Sequence, residues 1–131
     1  MSESIAMQWL AEATNSANNK NLTKYMDLIS KKVRLMGVPG FEELDYEDCA
    51  AQTEHEFGNN ILKSVRYDGL KMLATPDAHI LFKTFETIEA TDGTVSAQGI
   101  EILLAREEDG IWRLLQERVL ADDESRHDGL M

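Results

Sequence analysis

The chain is predicted to fold as an α+β cone-shaped roll, with N-terminal helices packed against a curved antiparallel sheet. Three observations carry this. Helical periodicity is confined to the residues before Gly58. After it, Leu62–Ala90, Thr94–Arg106 and Ile111–Leu120 alternate as long strands. Asp92-Gly93 and Glu108-Asp109-Gly110 are hairpin turn signals between them. Helices followed by an antiparallel meander give a sheet that wraps the helices around a cone-shaped cavity.

In the first helix, opening near Ser4, residues Ile5, Ala6, Trp9, Leu10, Ala13 and Ala17 recur at spacings of three and four, which marks one apolar face. Asn18-Asn19-Lys20-Asn21 breaks it, and Asn21 caps a second short helix that turns Leu22, Tyr25, Met26 and Ile29 inward. Val33, Leu35 and Val38 read as a short strand ended by the turn Gly37–Gly40. From Asp45 to about Phe57 a third helix presents Tyr46, Cys49, Ala50, Thr53 and Phe57 on one side, and Gly58-Asn59-Asn60 closes it. Thr75-Pro76-Asp77 interrupts the first long stretch of strand. Asp68-Gly69 reads as either a hairpin or a bulge, and the bulge is favoured because its flanks are short for two independent strands.

The length of 131 residues suits a single domain, expected over residues 1–120, with 121–131 as an acidic flexible tail. Acidic side chains outnumber basic ones 24 to 13, and a net charge of −11 repels phosphate backbones and anionic lipid. Nucleic acid and membrane are therefore not expected partners. Cys49 is the only cysteine, and Glu47 and Asp48 beside it set a field hostile to a reactive thiolate. The first nine residues lack a basic region and a long apolar run, so no signal peptide is read there and the expected location is the cytoplasm. His55 stands between Glu54 and Glu56, but neighbours on a helix point about 100° apart and cannot close on one ion, and His79 lies on another element. No metal and no cofactor are expected.

The succession of a Trp-bearing first helix, Asn21-Leu22, Tyr25-Met26, Ile29-Ser30 and Val33-Arg34-Leu35, followed later by Gly110-Ile111-Trp112-Arg113-Leu114, resembles the nuclear transport factor 2-like superfamily. That group includes the ketosteroid-isomerase-like and SnoaL-like, polyketide-cyclase-like domains, and the resemblance runs from about Ile5 to Leu120. It implies the same roll. It does not imply one chemistry, since the fold hosts isomerases, dehydratases, cyclases, ligand binders and assembly domains. The resemblance to isomerases would place a general-base aspartate just after the first short strand, where this chain reads Arg34-Leu35-Met36-Gly37 without a carboxylate. It would place a tyrosine on the first helix, which here carries Trp9 and Ala13. Histidines that other relatives carry on the last strand correspond here to Gln116 and Arg118.

Strand alternation nominates site residues independently of the resemblance. Glu86 interrupts the face Ile80, Phe82, Thr84, Ile88, and Glu101 interrupts the face Val95, Ala97, Gly99, Leu103, Ala105. Arg118 stands out among Trp112, Leu114, Gln116 and Leu120. A carboxylate on an apolar face needs a partner or water. Either Glu86 or Glu101 pairs with Arg118, Arg113 or Arg106 across strands, or one of them lines the cavity as acid, base or ligand acceptor. With Trp9, Tyr25, Tyr46, Thr53, Tyr67, Thr84 and Trp112 these residues form the candidate ligand set, and Glu86 and Glu101 are the catalytic candidates.

The expected function is binding of a small organic ligand in a mainly apolar cavity. The alternatives are a non-catalytic dimerisation or assembly domain, and an acid/base isomerase, dehydratase or cyclase using a cavity carboxylate. Ile100, Ile102 and Leu104 lie on one face of their strand while Val95, Ala97 and Leu103 lie on the other, so the sheet is expected to form a homodimer through its outer face, with Ile102 a candidate for the contact.

Overall fold

The computed structural model of the chain describes residues 2–37, 40 and 42–130. In chain order it runs α1 (Ser2–Asn18), α2 (Leu22–Asp27), β1 (Ile29–Met36), β2 (Glu43–Leu44), α3 (Tyr46–Gly58), β3 (Leu62–Leu73), β4 (His79–Ala90), β5 (Val95–Arg106), β6 (Trp112–Val119) and α4 (Asp122–His127). Val38 and Pro39 of the expected strand end and turn lie outside the described residues.

Local chemistry sets the element boundaries. Asn21 Oδ1 accepts the Lys24 amide at 3.2 Å and opens α2. Asp45 and Asp48 form a reciprocal capping box at the start of α3. At the β4–β5 turn the Ala90 amide donates to Thr94 at 2.8 Å, and Gly93 takes φ 92°, a conformation that a Cβ disfavours.

The strands form one six-stranded sheet in the order β2-β1-β6-β5-β4-β3. β1 runs parallel to β6 and the other pairs are antiparallel, so the sheet is mixed where an antiparallel one was expected. The parallel pair arises because β1 precedes the meander and returns to its far side through α3 and the three intervening strands. Register shifts curve the sheet. One lies at Asp68–Lys71 on β3, where Gly69 has φ 77°, and the Thr84 hydroxyl donates to the Gly69 carbonyl at 2.6 Å. Asp68-Gly69 is therefore a bulge.

The core lies between the concave face and α1. Ala6, Trp9 and Ala13 pack with Ile80, Phe82, Ile100, Ile102 and Leu104, and full burial of each large side chain contributes roughly 1.5–3 kcal/mol. Trp9 Nε1 donates to the Leu28 carbonyl at 3.1 Å, which ties α1 to the end of α2. Asn18 accepts the Val65 amide at 2.8 Å, satisfying one donor on edge strand β3.

The C-terminal segment differs from the flexible tail expected of it. α4 packs against the outer face, with Ser125 fully buried beside Gly99. Lys83 Nζ meets Asp128 at 2.6 Å and Glu124 at 3.1 Å, and Arg118 meets Glu124 at 2.9 Å. Polar composition reads as tail when its partners sit forty residues away in sequence.

Candidate ligand site

Alternation on β4 turns Phe82, Thr84 and Glu86 to the concave side, and cross-strand register aligns Tyr67, Glu86 and Gln98 in one row over β3, β4 and β5. Gln98 Nε2 donates to Glu86 Oε1 at 3.2 Å, and the Tyr67 hydroxyl bonds the same carboxyl. α2 supplies Tyr25 and α3 supplies Cys49, Thr53, Glu56 and Phe57 above this row. Tyr25 and Phe57 meet edge to face, their centroids 5.6 Å apart.

A second carboxyl enters from β6. Glu117 pairs in register with Ile102 of β5 and Leu35 of β1, and so points to the concave side. Sequence alternation had placed Gln116 and Arg118 on that side. The register shift between Leu103 and Leu104 leaves Leu115 as an extra residue, and every later side chain of β6 changes face. The adjacent leucines Leu114-Leu115 are the trace of this bulge in the sequence.

Glu86, Glu117, Tyr25, Tyr67 and Cys49 act on one another in a small desolvated space. Burial, with Glu86 nearby, pushes the Glu117 carboxyl up to about 8. Burial also raises Glu86, against the lowering effect of its bonds to Gln98 and Tyr67. Tyr25 and Tyr67 are held above the usual phenol range, first by burial and then by Glu117 and Glu86 respectively. Burial and Glu117 raise the Cys49 thiol to about 11, which keeps it protonated and unreactive. At neutral pH the Glu117 carboxyl keeps its proton, so that it is a hydrogen-bond donor rather than an anion.

The cavity at this cluster measures about 70 Å³ and is walled by Tyr25, Thr53, Phe57, Tyr67, Glu86 and Ile88 among others. Against a liquid share of roughly 30 Å³ per water, it holds a group of only a few heavy atoms.

Of the expected set, Tyr25, Thr53, Tyr67 and Glu86 come together here. Trp9 is a core anchor, Thr84 is fully buried and bonded to the bulge, and Trp112 lies at the far end of the core with the Arg106 guanidinium 5.9 Å from its ring centroid. Tyr46 lines a surface groove of about 690 Å³ beside α2 and β1. Glu101 and Arg118 are on the outer face, paired with each other at 3.3 Å, so the cross-strand ion pair is realised by Glu101 and the cavity position by Glu86. Glu56 lines the cavity, Gln98 bonds Glu86 and Glu117 lies on the same concave face, and alternation nominated none of the three. Among the described residues no three of His, Cys, Asp and Glu are grouped to hold a metal ion, and no helix is long and apolar enough to cross a membrane.

The fold is the nuclear transport factor 2-like, or cystatin-like, α+β roll. A nuclear transport factor 2-like protein from Cytophaga hutchinsonii superposes with a TM-score of 0.75 at 11% identity, covering 91% of this chain and 97% of that one. ActVI-ORFA from Streptomyces coelicolor gives 0.72 at 12%, covering 92% and 97%. A protein from Catenulispora acidiphila, in complex with S-DNPA, gives 0.73 at 14%, covering 95% and 96%. No family model and no curated protein matches the sequence.

Proposed function

We propose that this chain is a small-molecule-binding protein of the SnoaL-like type, whose ligand is held inside the cone beside Glu86 and against Tyr25 and Tyr67. The observation that carries this reading is a buried carboxyl, Glu86, that lines a cavity and has no ion pair among the described residues. Such an arrangement costs stability, and sites rather than cores are where that cost is retained. The Catenulispora acidiphila protein, which has the same fold and a bound small molecule, supports the reading by analogy.

Nuclear magnetic resonance titration with a panel of small neutral, cationic and anionic organic fragments tests it. Shifts should move at Thr53, Tyr67 and Glu86, and Glu86→Gln should abolish them while its melting temperature stays within a few degrees of the parent. A panel in which no fragment moves these resonances overturns the reading.

A second reading, a non-catalytic assembly domain forming a homodimer through the sheet, is favoured by the small size of the cavity. It is favoured also by the outer row Leu73, Leu81 and Leu103, which is in register across three strands and only partly buried.

A further inference from the structure

We propose that the open groove beside α2 and β1 is a second binding site, separate from the cavity at Glu86, and that it takes an organic phosphate: a phosphate monoester dianion carried on an apolar or aromatic body.

The distribution of charge points there first. The chain carries a net charge of −11, yet Lys24, Lys31, Lys32 and Arg113 line this groove against two carboxylates, Asp27 and Glu107. Both of those are engaged by Arg113, at 3.1 and 2.8 Å. The ammonium groups of Lys24, Lys31 and Lys32 make no hydrogen bond or ion pair among the described residues. In a chain with 24 acidic side chains, unpaired lysines gathered at one groove leave a local positive field without an internal counter-charge.

The course of β1 is the second observation. Adjacent residues of a regular strand point to opposite faces, but Lys31 and Lys32 line the same groove. Ile29 pairs with Leu114 of β6 and the next pairing is Arg34 with Gln116, so Ser30, Lys31, Lys32 and Val33 bulge opposite the single residue Leu115. The buried Ser30 hydroxyl fixes this bulge, accepting the Lys32 amide at 3.1 Å and donating to Glu107 at 2.9 Å. Glu107 is bonded in turn to Arg113 of β6, which ties the lysine-bearing segment to the sheet.

The donors that remain free select the anion. Arg113 Nε donates to the Asp27 carbonyl, Nη1 to Glu107 and Asp109, and Nη2 to the Asp27 carboxylate. The guanidinium fork that would read a planar carboxylate is therefore occupied. Lysine ammonium groups act as point charges, and they suit the compact, doubly charged head of a phosphate monoester with its three acceptor oxygens. Met26, Ile29 and Tyr46 line the groove beside them and offer apolar surface to the organic body. The volume of about 690 Å³ lies within the roughly 300–1,000 Å³ of sites for small organic molecules.

Titration of the unmodified protein with phenyl phosphate, benzoate, phenol and inorganic phosphate, followed by amide resonances at about pH 7.5, tests the assignment. Phenyl phosphate should move the resonances of Lys24, Lys31, Lys32 and Tyr46 and bind at least about fivefold more tightly than benzoate or inorganic phosphate, and phenol should leave them in place. Its affinity should fall severalfold at about pH 5, where the phosphate has regained its second proton. Lys31→Gln and Lys32→Gln together, both at exposed positions, should weaken it about tenfold, whereas Lys63→Gln, which removes an exposed lysine paired with Glu89 on β4, should not. If phenyl phosphate moves none of these resonances at about 20 mM, or if the doubly substituted protein binds it as tightly as the parent, there is no site here. Benzoate binding as tightly as phenyl phosphate would overturn the phosphate assignment. The cavity resonances of Thr53, Tyr67 and Glu86 report separately, so failure at the groove leaves the small-molecule reading standing.

Discussion

Glu117 is the carboxyl that the fold shifts furthest toward its protonated form. Its folded carboxyl stands near 8 where 4.5 is ordinary, with burial as the main cause. A group so raised keeps its proton in the folded state over a range where the unfolded chain has lost it. The contribution of this group to stability is therefore greatest below about 4.5 and declines as pH rises through about 8, by an amount on the order of a few kcal/mol. The melting temperature should fall between about pH 5 and pH 8.5, and Glu117→Gln, which cannot ionise, should flatten the profile and be the more stable protein at the alkaline end. Parallel profiles for the two proteins would show that Glu117 is not buried as described. Glu86, also raised but bonded to Gln98 and Tyr67, is expected to contribute in the same direction.

At the scale of elements, α4 is attached by charge and by a glycine. Lys71 and then Lys83 hold the Asp128 carboxyl down at about 2, and Arg118 and then Lys83 lower Glu124. For carboxyls depressed on folding, the stabilisation is present above the unfolded value and is lost as pH falls through the folded one. Helix α4 should thus detach between about pH 4 and pH 2, seen as loss of its dispersed amide resonances before the sheet unfolds. The glycine allows close approach: a Cβ at Gly99 would collide with Ser125 Oγ and lie 3.1 Å from Ser125 Cβ. Gly99→Ala should therefore release α4 or cost about 1–3 kcal/mol. Ser125→Ala, by removing a buried hydroxyl without a partner, should be neutral or stabilising. A Gly99→Ala protein with unchanged α4 resonances would contradict the docking.

Over the whole molecule, the two faces of the sheet have different fates. Ile100, Ile102 and Leu104 are fully buried against α1 within one chain, so Ile102 belongs to the core rather than to a contact between chains. On the outer face α4 covers the end near Gly99 and leaves Leu73, Leu81 and Leu103 partly accessible. If two copies associate through the sheet, Leu103→Glu should convert the dimer into a folded monomer of 14.8 kDa, whereas Ile102→Glu should unfold the protein at any concentration. Sedimentation with circular dichroism distinguishes these outcomes. A parent protein that sediments as a monomer at micromolar concentration disposes of the sheet dimer.

The order of helices and strands from α1 to β6, apart from the two-residue β2, the caps at Asn21 and Asp45, the hairpin at Asp92-Gly93 and the bulge favoured at Asp68-Gly69 were legible in the sequence. They are written in spacing and turn chemistry over a few residues, which act before any distant contact exists. Glu86 and the tyrosines were legible as polar groups on apolar faces. Which of Glu86 and Glu101 faces the cavity depends on which side of the sheet α1 covers, and alternation is symmetric between the two sides. Glu117 was hidden because one extra residue, Leu115, inverts the alternation after it, and a bulge's place is set by pairing with β5. Helix α4 was hidden because its hold is made by Lys71, Lys83, Gly99 and Arg118, brought to it by the sheet. Local propensity determined the elements, and long-range pairing alone decided which carboxyls face inside.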